Sequence, residues 1–195
     1  MKKGRFVVFE GIDGSGKSSC MEAAVTILGK ERDVIGTAEP TDGDIKRILE
    51  EAKDITPEGE AMLFITDRML HTREIMEWMK EGKVVLCDRY YASTIAYQSA
   101  ELNGRRADAV WLEEMNDKIA IEPDMTLLFD IDPILGMERV ESRGSKSRFE
   151  RIGYLTEVRD NYLRIAKERG FVIIDASRPK DEVLEEVLRH ISRIL

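Results

Sequence analysis

Residues 11–18 read Gly11-Ile12-Asp13-Gly14-Ser15-Gly16-Lys17-Ser18, directly after the apolar run Phe6–Glu10 and directly before a helical pattern that opens with Lys17. The spacing G-x-x-x-x-G-K-[ST] at a strand-to-helix junction is a phosphate-binding loop. Glycines let the backbone wrap tightly and turn its N–H groups inward onto phosphate oxygens. The helix that follows adds its partly positive end. In such a loop Lys17 reaches the outer phosphates and the Ser18 hydroxyl faces Mg²⁺. The bland alternative is a glycine turn joining a strand to a helix. The loop by itself serves kinases, ATPases, GTPases and transporter motors alike.

Working outward, four more apolar runs follow the first: Val34–Ala38, Val84–Asp88, Thr126–Ile131 and Val172–Asp175. Short continuous runs of this kind suit strands buried on both faces, as in a parallel sheet. Helical patterns separate them. Thr56-Pro57 and Asp132-Pro133 each pair a capping residue with a proline at the first helical position. The long pattern after Pro57 carries Met62, Leu63, Ile65, Met69, Ile75, Met76 and Met79. The tail from Pro179 onward sets Val183, Val187, Leu188, Ile191, Ile194 and Leu195 along one stripe. Strands alternating with helices predict an α/β fold: a five-stranded parallel sheet flanked by helices, of the P-loop NTPase type. One domain over residues 1–195 is expected from the length, with ligands at the carboxyl ends of the strands.

Lys and Arg number 30 and Asp and Glu 38, a net charge of −8. This argues against a nucleic-acid or membrane-surface binder, which needs a basic face. Cys20 and Cys87 have neither the spacing nor the histidine partners of a metal site, and they read as reduced thiols. Met1-Lys2-Lys3-Gly4-Arg5 leads straight into the first strand rather than into a signal peptide, and no apolar run of membrane-spanning length occurs. A cytoplasmic location is the expectation.

A GTPase would show an N-K-x-D guanine motif, which is not found, and a motor ATPase would need a longer chain. A small kinase remains, and its acceptor site should combine arginine for phosphate with aromatics for a base. Three segments supply these. Asp88-Arg89-Tyr90 ends the third strand, with Asp88 suited to a place near the metal. Phe64 and Arg68 are four residues apart and share a helix face. Ser93, Thr94, Tyr97 and Gln98 make a second polar and aromatic face. Surface ion pairing for the arginines and plain core packing for Phe64 and Tyr97 are the bland readings.

Together these segments resemble thymidylate kinases in order and spacing, over nearly the whole chain: Phe9-Glu10 with the loop, Glu39-Pro40-Thr41, Leu63-Phe64 with Asp67-Arg68, Asp88-Arg89-Tyr90, and Ala96-Tyr97-Gln98. The likeness continues through Leu128–Pro133, Glu138-Arg139, Arg143-Gly144, Arg148-Phe149-Glu150, Tyr162-Leu163 and Ile174-Asp175-Ala176. The resemblance implies that ATP, with Mg²⁺, phosphorylates dTMP to dTDP, and that the protein is a homodimer. By the same resemblance, Asp13 meets the sugar 3′-hydroxyl of the acceptor nucleotide and Phe64 stacks on thymine. Arg68 bonds a thymine carbonyl near the acceptor phosphate, and Arg89 holds that phosphate. Thr94, Tyr97 and Gln98 line base and sugar, with Tyr97 near C2′, where it would disfavour a ribose. Ser18 and Asp88 are the expected metal-site residues.

Residues 142–152 are cationic within an acidic chain and read as a lid over ATP, the bland alternative being a solvated loop. Closure would carry arginines to a transferring phosphoryl group whose charge is spread over its equatorial oxygens. Family members carry a catalytic arginine in the P-loop or in the lid. Ile12, Asp13, Gly14 and Ser15 include no basic residue, so Arg143 or Arg148 is the expected source. Glu150 resembles a family acid near substrate or metal. Two departures stand out: Ala38 where many members have arginine, and Ser147 where a lid aspartate is common. Three rivals stay open. They are a kinase for another nucleoside monophosphate or for a deoxynucleoside, a non-catalytic ATP-binding switch, and an adaptor built on the methionine-rich helix.

Overall fold

The computed structural model describes residues 4–52, 54–140 and 148–195, with side chains from 151 onward in the last range. The five runs all form strands: β1 (Arg5–Glu10), β2 (Val34–Ala38), β3 (Val84–Asp88), β4 (Met125–Asp130) and β5 (Val172–Asp175). They make one sheet in the order β2-β3-β1-β4-β5, with every pairing parallel. The central strand β1 is buried from Phe6 to Glu10. A strand covered on both faces gains from apolar side chains at every position, which is why these runs do not alternate.

The helices among the described residues are α1 (Lys17–Leu28), α2 (Asp44–Glu51), α3 (Pro57–Lys80), α4 (Tyr91–Gln98), α5 (Ala109–Asp117), α6 (Pro133–Val140), α7 (Arg148–Arg169) and α8 (Lys180–Ser192). Both cap-then-proline signals hold. The Thr56 side chain accepts from Gly59 N at 3.1 Å, with Pro57 opening α3. Asp132 accepts from Ile134 N at 2.8 Å, with Pro133 opening α6. The tail stripe buries Val183, Val187 and Ile191. Its outer members Leu188, Ile194 and Leu195 are half-buried against the core.

Four strands end in a carboxylate at the carboxyl side of the sheet: Glu10 of β1, Asp88 of β3, Asp130 of β4 and Asp175 of β5; Glu39 directly follows the remaining strand, β2. Because β1 lies between β3 and β4, the chain leaving β1 and the chain leaving β3 diverge above the same crevice. That is where an open α/β sheet holds its ligand. Cys87 is buried in β3, Cys20 is half-buried in α1, and both are free thiols. No described helix is long and apolar enough to cross a membrane.

Candidate active site

The loop after β1 closes as its residue types require. Gly11, Gly14 and Gly16 all have positive φ. At Gly14 a Cβ would sit 2.0 Å from the Gly136 carbonyl oxygen, so α6 packs against the loop only because that residue has no side chain. Gly16 caps α1, and no side chain satisfies the helix's first N–H groups. Those donors therefore face the crevice, an arrangement that suits an anion.

Lys17 and Ser18 converge on Asp88 from β3. The Lys17 Nζ lies 3.2 Å from Asp88 Oδ1, and Ser18 Oγ donates to Asp88 Oδ2. Lys17 is buried. Its pKa is lowered by that burial and by Arg89, against the opposing pull of Asp88 and Asp13. No three His, Cys, Asp or Glu side chains cluster as a full metal cage among the described residues. Ser18 and Asp88 still suit Mg²⁺, which keeps several waters and takes phosphate oxygens beside one or two protein oxygens. A cavity of about 1070 Å³ runs from this loop to the turn between β5 and α8, past Lys17, Ser18, Arg139 and Ser177. Arg139 is held there by the Ala176 carbonyl at 2.9 Å.

On the other side, a cavity of about 330 Å³ is lined by Phe64, Arg68, Arg89, Thr94, Tyr97 and Gln98. Arg89 has φ of 69° and a ring of partners. Its Nη2 donates to Asp13 Oδ1 at 2.6 Å and to the Tyr97 hydroxyl at 3.4 Å, and its Nη1 donates to Ser93 Oγ at 3.2 Å. The guanidinium also lies 5.0 Å from the Tyr97 ring centroid. Arg68 is 1% exposed, so it is no surface ion pair. It bonds Asn116 Oδ1 at 2.5 Å and Thr94 Oγ1 at 3.1 Å, and it pairs with Glu39 Oε2 at 2.7 Å. Its Nε is buried without a hydrogen-bond partner, as is Gln98 Oε1.

Of the predicted residues, Asp13 to Ser18 thus line the larger cavity, and Phe64, Arg68, Arg89, Thr94, Tyr97 and Gln98 line the smaller one. Asp88 lines neither but meets Lys17 and Ser18; Gly11 and Ile12 also line neither cavity. Arg143 and the side chains of Arg148 and Glu150 lie outside the described residues, as does Ser147. The segment read as a lid is helical from Arg148, where α7 begins. Ala38 ends β2 and is exposed.

A family model described as thymidylate kinase matches residues 9–187. A probable thymidylate kinase of Archaeoglobus fulgidus is 42% identical to this chain over 193 residues, 97% of this chain and 95% of the relative. One of Pyrobaculum aerophilum is 37% identical over 196 residues, 97% of each chain, and one of Methanococcoides burtonii is 36% identical over 199 residues, 99% and 98%. The chain belongs to the thymidylate kinase family. It is therefore a member of a family of phosphotransferases, and the match spans both cavities.

Reading along the chain of this thymidylate kinase family member assigned no role to the buried groups behind the two cavities. Glu10 Oε1 accepts from Tyr90 N at 2.9 Å and Ser93 N at 3.2 Å, and its Oε2 accepts from Ser93 Oγ at 2.6 Å and the Tyr162 hydroxyl at 3.1 Å. It therefore caps α4 from another strand, where the helix's own N-cap, Tyr90, supplies no side-chain bond. Burial raises its pKa, opposed by Ser93 and Arg89. His71 is equally hidden. Its Nδ1 donates to Glu39 Oε1 at 3.0 Å, and its Nε2 lies 2.8 Å from Thr37 Oγ1. Glu39 is thus fixed by His71 on one oxygen while it holds Arg68 with the other. The available signal was a carboxylate at a strand's end followed by glycine or proline, at Glu10-Gly11 and Glu39-Pro40.

Proposed function

We propose that the protein transfers the γ-phosphoryl group of ATP to dTMP, giving dTDP. The reading rests most on the smaller cavity. Beside Phe64 it offers one buried unsatisfied donor, Arg68 Nε, and one buried unsatisfied acceptor, Gln98 Oε1. A thymine edge carries an acceptor at O4 and a donor at N3–H, which is the complement of that pair. Orphaned buried polar groups are costly until a ligand satisfies them.

In this reading the P-loop amides and Lys17 hold the outer phosphates of ATP in the larger cavity. Arg89, oriented by Asp13, Ser93 and Tyr97, receives the acceptor phosphate, and Phe64 stacks on the base. Asp13 also meets the sugar 3′-hydroxyl, and Tyr97 lies against C2′. Ser18 and Asp88 would hold Mg²⁺, which when bound neutralises and orients the phosphates. The acceptor is already an anion, so no general base is needed. Catalysis is positioning plus charge stabilisation in an in-line transfer. The single domain over residues 1–195 would close through a lid at 142–152, with Arg143 and Arg148 supplying further cations.

A homodimer in the cytoplasm completes the reading. Met62, Met69 and Met76 recur every seven residues on α3 and are 43%, 49% and 43% exposed, with Leu70 beside them. That is the spacing of a helix seam that meets another helix. The test of the reaction is initial-rate ADP formation with ATP, Mg²⁺ and each nucleoside monophosphate in turn, plus thymidine. A marked preference for dTMP is expected. Turnover only with a purine monophosphate would discard the thymine pocket, and no turnover with any acceptor would favour an ATP-binding switch.

A further inference from the structure

Gln98, the last residue of α4, lines the smaller cavity and donates its Nε2 to Glu60 Oε2 at 3.1 Å. A glutamine side chain can present either its oxygen or its NH₂ group, and flipping exchanges the two. An ionised carboxylate accepts hydrogen bonds and donates none. With Glu60 behind it, Gln98 must turn its NH₂ toward α3 and leave Oε1 over, and Oε1 is the buried atom with no partner. Arg68, which also lines the cavity, has no such choice. It only donates, and Glu39, Asn116 and Thr94 fix its guanidinium.

We propose that Glu60 is a specificity-determining positioning residue for the acceptor base. Its carboxylate locks the Gln98 amide in the orientation that presents a carbonyl oxygen. The unpaired Arg68 Nε and Gln98 Oε1 then offer one donor and one acceptor, which match a 4-keto pyrimidine with N3–H, such as thymine or uracil. Cytosine carries NH₂ at C4 and a bare N3, so it meets donor with donor and acceptor with acceptor. Specificity of this kind comes from buried polar groups left unpaired by the wrong ligand. Glu60 also sits in the first turn of α3, where a carboxylate meets the partly positive end of the helix. The inference rests on the acceptor-pocket reading above.

The test compares kcat/KM for dTMP and dCMP in wild type, Glu60→Gln and Glu60→Met. Both variants release the Gln98 amide to turn. The dTMP/dCMP ratio is expected to shrink about tenfold or more, through a higher KM for dTMP and improved use of dCMP. The KM for ATP and the dTMP/dUMP ratio should stay as in wild type, because neither depends on the Gln98 amide. Glu60→Asp should recover part of the ratio. The proton resonances of the Gln98 side-chain NH₂ give a second readout, and they should shift and exchange faster with water in Glu60→Met. An unchanged dTMP/dCMP ratio, or equal loss for both acceptors with an unmoved Gln98 amide signal, overturns the inference alone. A wild type that phosphorylates no pyrimidine monophosphate overturns the acceptor reading and this inference together.

Discussion

Arg89 shows how much one residue's conformation decides. Its φ of 69° lies in the left-handed region that non-glycine residues rarely occupy. The strain is held by the backbone bond from Arg89 N to the Phe9 carbonyl at 2.9 Å and by the grip of Asp13, Ser93 and Tyr97 on the guanidinium. Arg89→Lys keeps the charge but cannot contact three partners with a planar fork. The expected result is a kcat/KM for dTMP lowered roughly 10²-fold or more, with the KM for ATP little changed; equal activity of the lysine variant would remove Arg89 from the phosphate site. Lys17→Met should lower kcat by about 10²–10³ while the protein stays folded, read by steady-state kinetics beside a thermal melt. Arg89, Lys17, Phe64 and Arg68 were legible because motif spacing marks them. Glu10, His71 and Asn116 were not, because their partners stand 83, 32 and 48 residues away in sequence.

Among the elements, α3 and α4 owe their positions to different devices. The start of α3 is local, with the Thr56 hydroxyl on Gly59 N and Pro57 at the first position. Thr56→Ala should therefore cost about 1 kcal/mol in chemical denaturation and leave kinetics unaltered. The start of α4 is tertiary, because Glu10 reaches across from β1 to cap it. Glu10→Ala strands buried donors at Tyr90 and Ser93, so a loss of roughly 2–3 kcal/mol is expected in the same experiment. Because α4 also carries Ser93 and Tyr97, a raised KM for dTMP should accompany it. The sequence reading named no helix for α2, α5 or α7, although α7 buries Leu155, Val158, Tyr162, Ile165 and Ala166 at helical spacing; for α2 and α5 the apolar pattern itself is weak. No residue of α2 is buried, and α5 buries only Leu112 and Asn116. A helix with so little inward face leaves no stripe to read.

At the scale of the whole molecule, burial acts on all the phenols at once. Each of the five tyrosines has its pKa raised, chiefly by burial; Tyr90 is pushed up to about 12, and Tyr91, Tyr97, Tyr154 and Tyr162 are also raised. A phenol whose folded pKa exceeds its unfolded value near 10 contributes stability that is complete below pH about 10 and is lost as pH rises toward the folded values. Tyrosinate absorbance should therefore stay absent just above pH 10 and then appear together with loss of circular dichroism. A gradual phenolate titration in folded protein would contradict this packing. The exposed methionine seam of α3 gives a second test at this scale. Met69→Lys should convert the proposed homodimer to a monomer in sedimentation, with the melt becoming independent of protein concentration; a wild type already monomeric would overturn the dimer proposal.

The chain's own order determined the five parallel strands, the phosphate loop, the proline-marked helix starts and the arginine and aromatic positions of the smaller cavity. Each of these is written in neighbouring residues, because burial on both faces demands unbroken apolar runs and a phosphate cradle demands glycines at set intervals. Tertiary structure alone decided that Glu10 caps α4, that His71 and Glu39 stand behind Arg68, and that the Gln98 amide donates to Glu60. A buried carboxylate needs donors from whichever segments fold around it. Strand order, rather than sequence distance, brings those segments together.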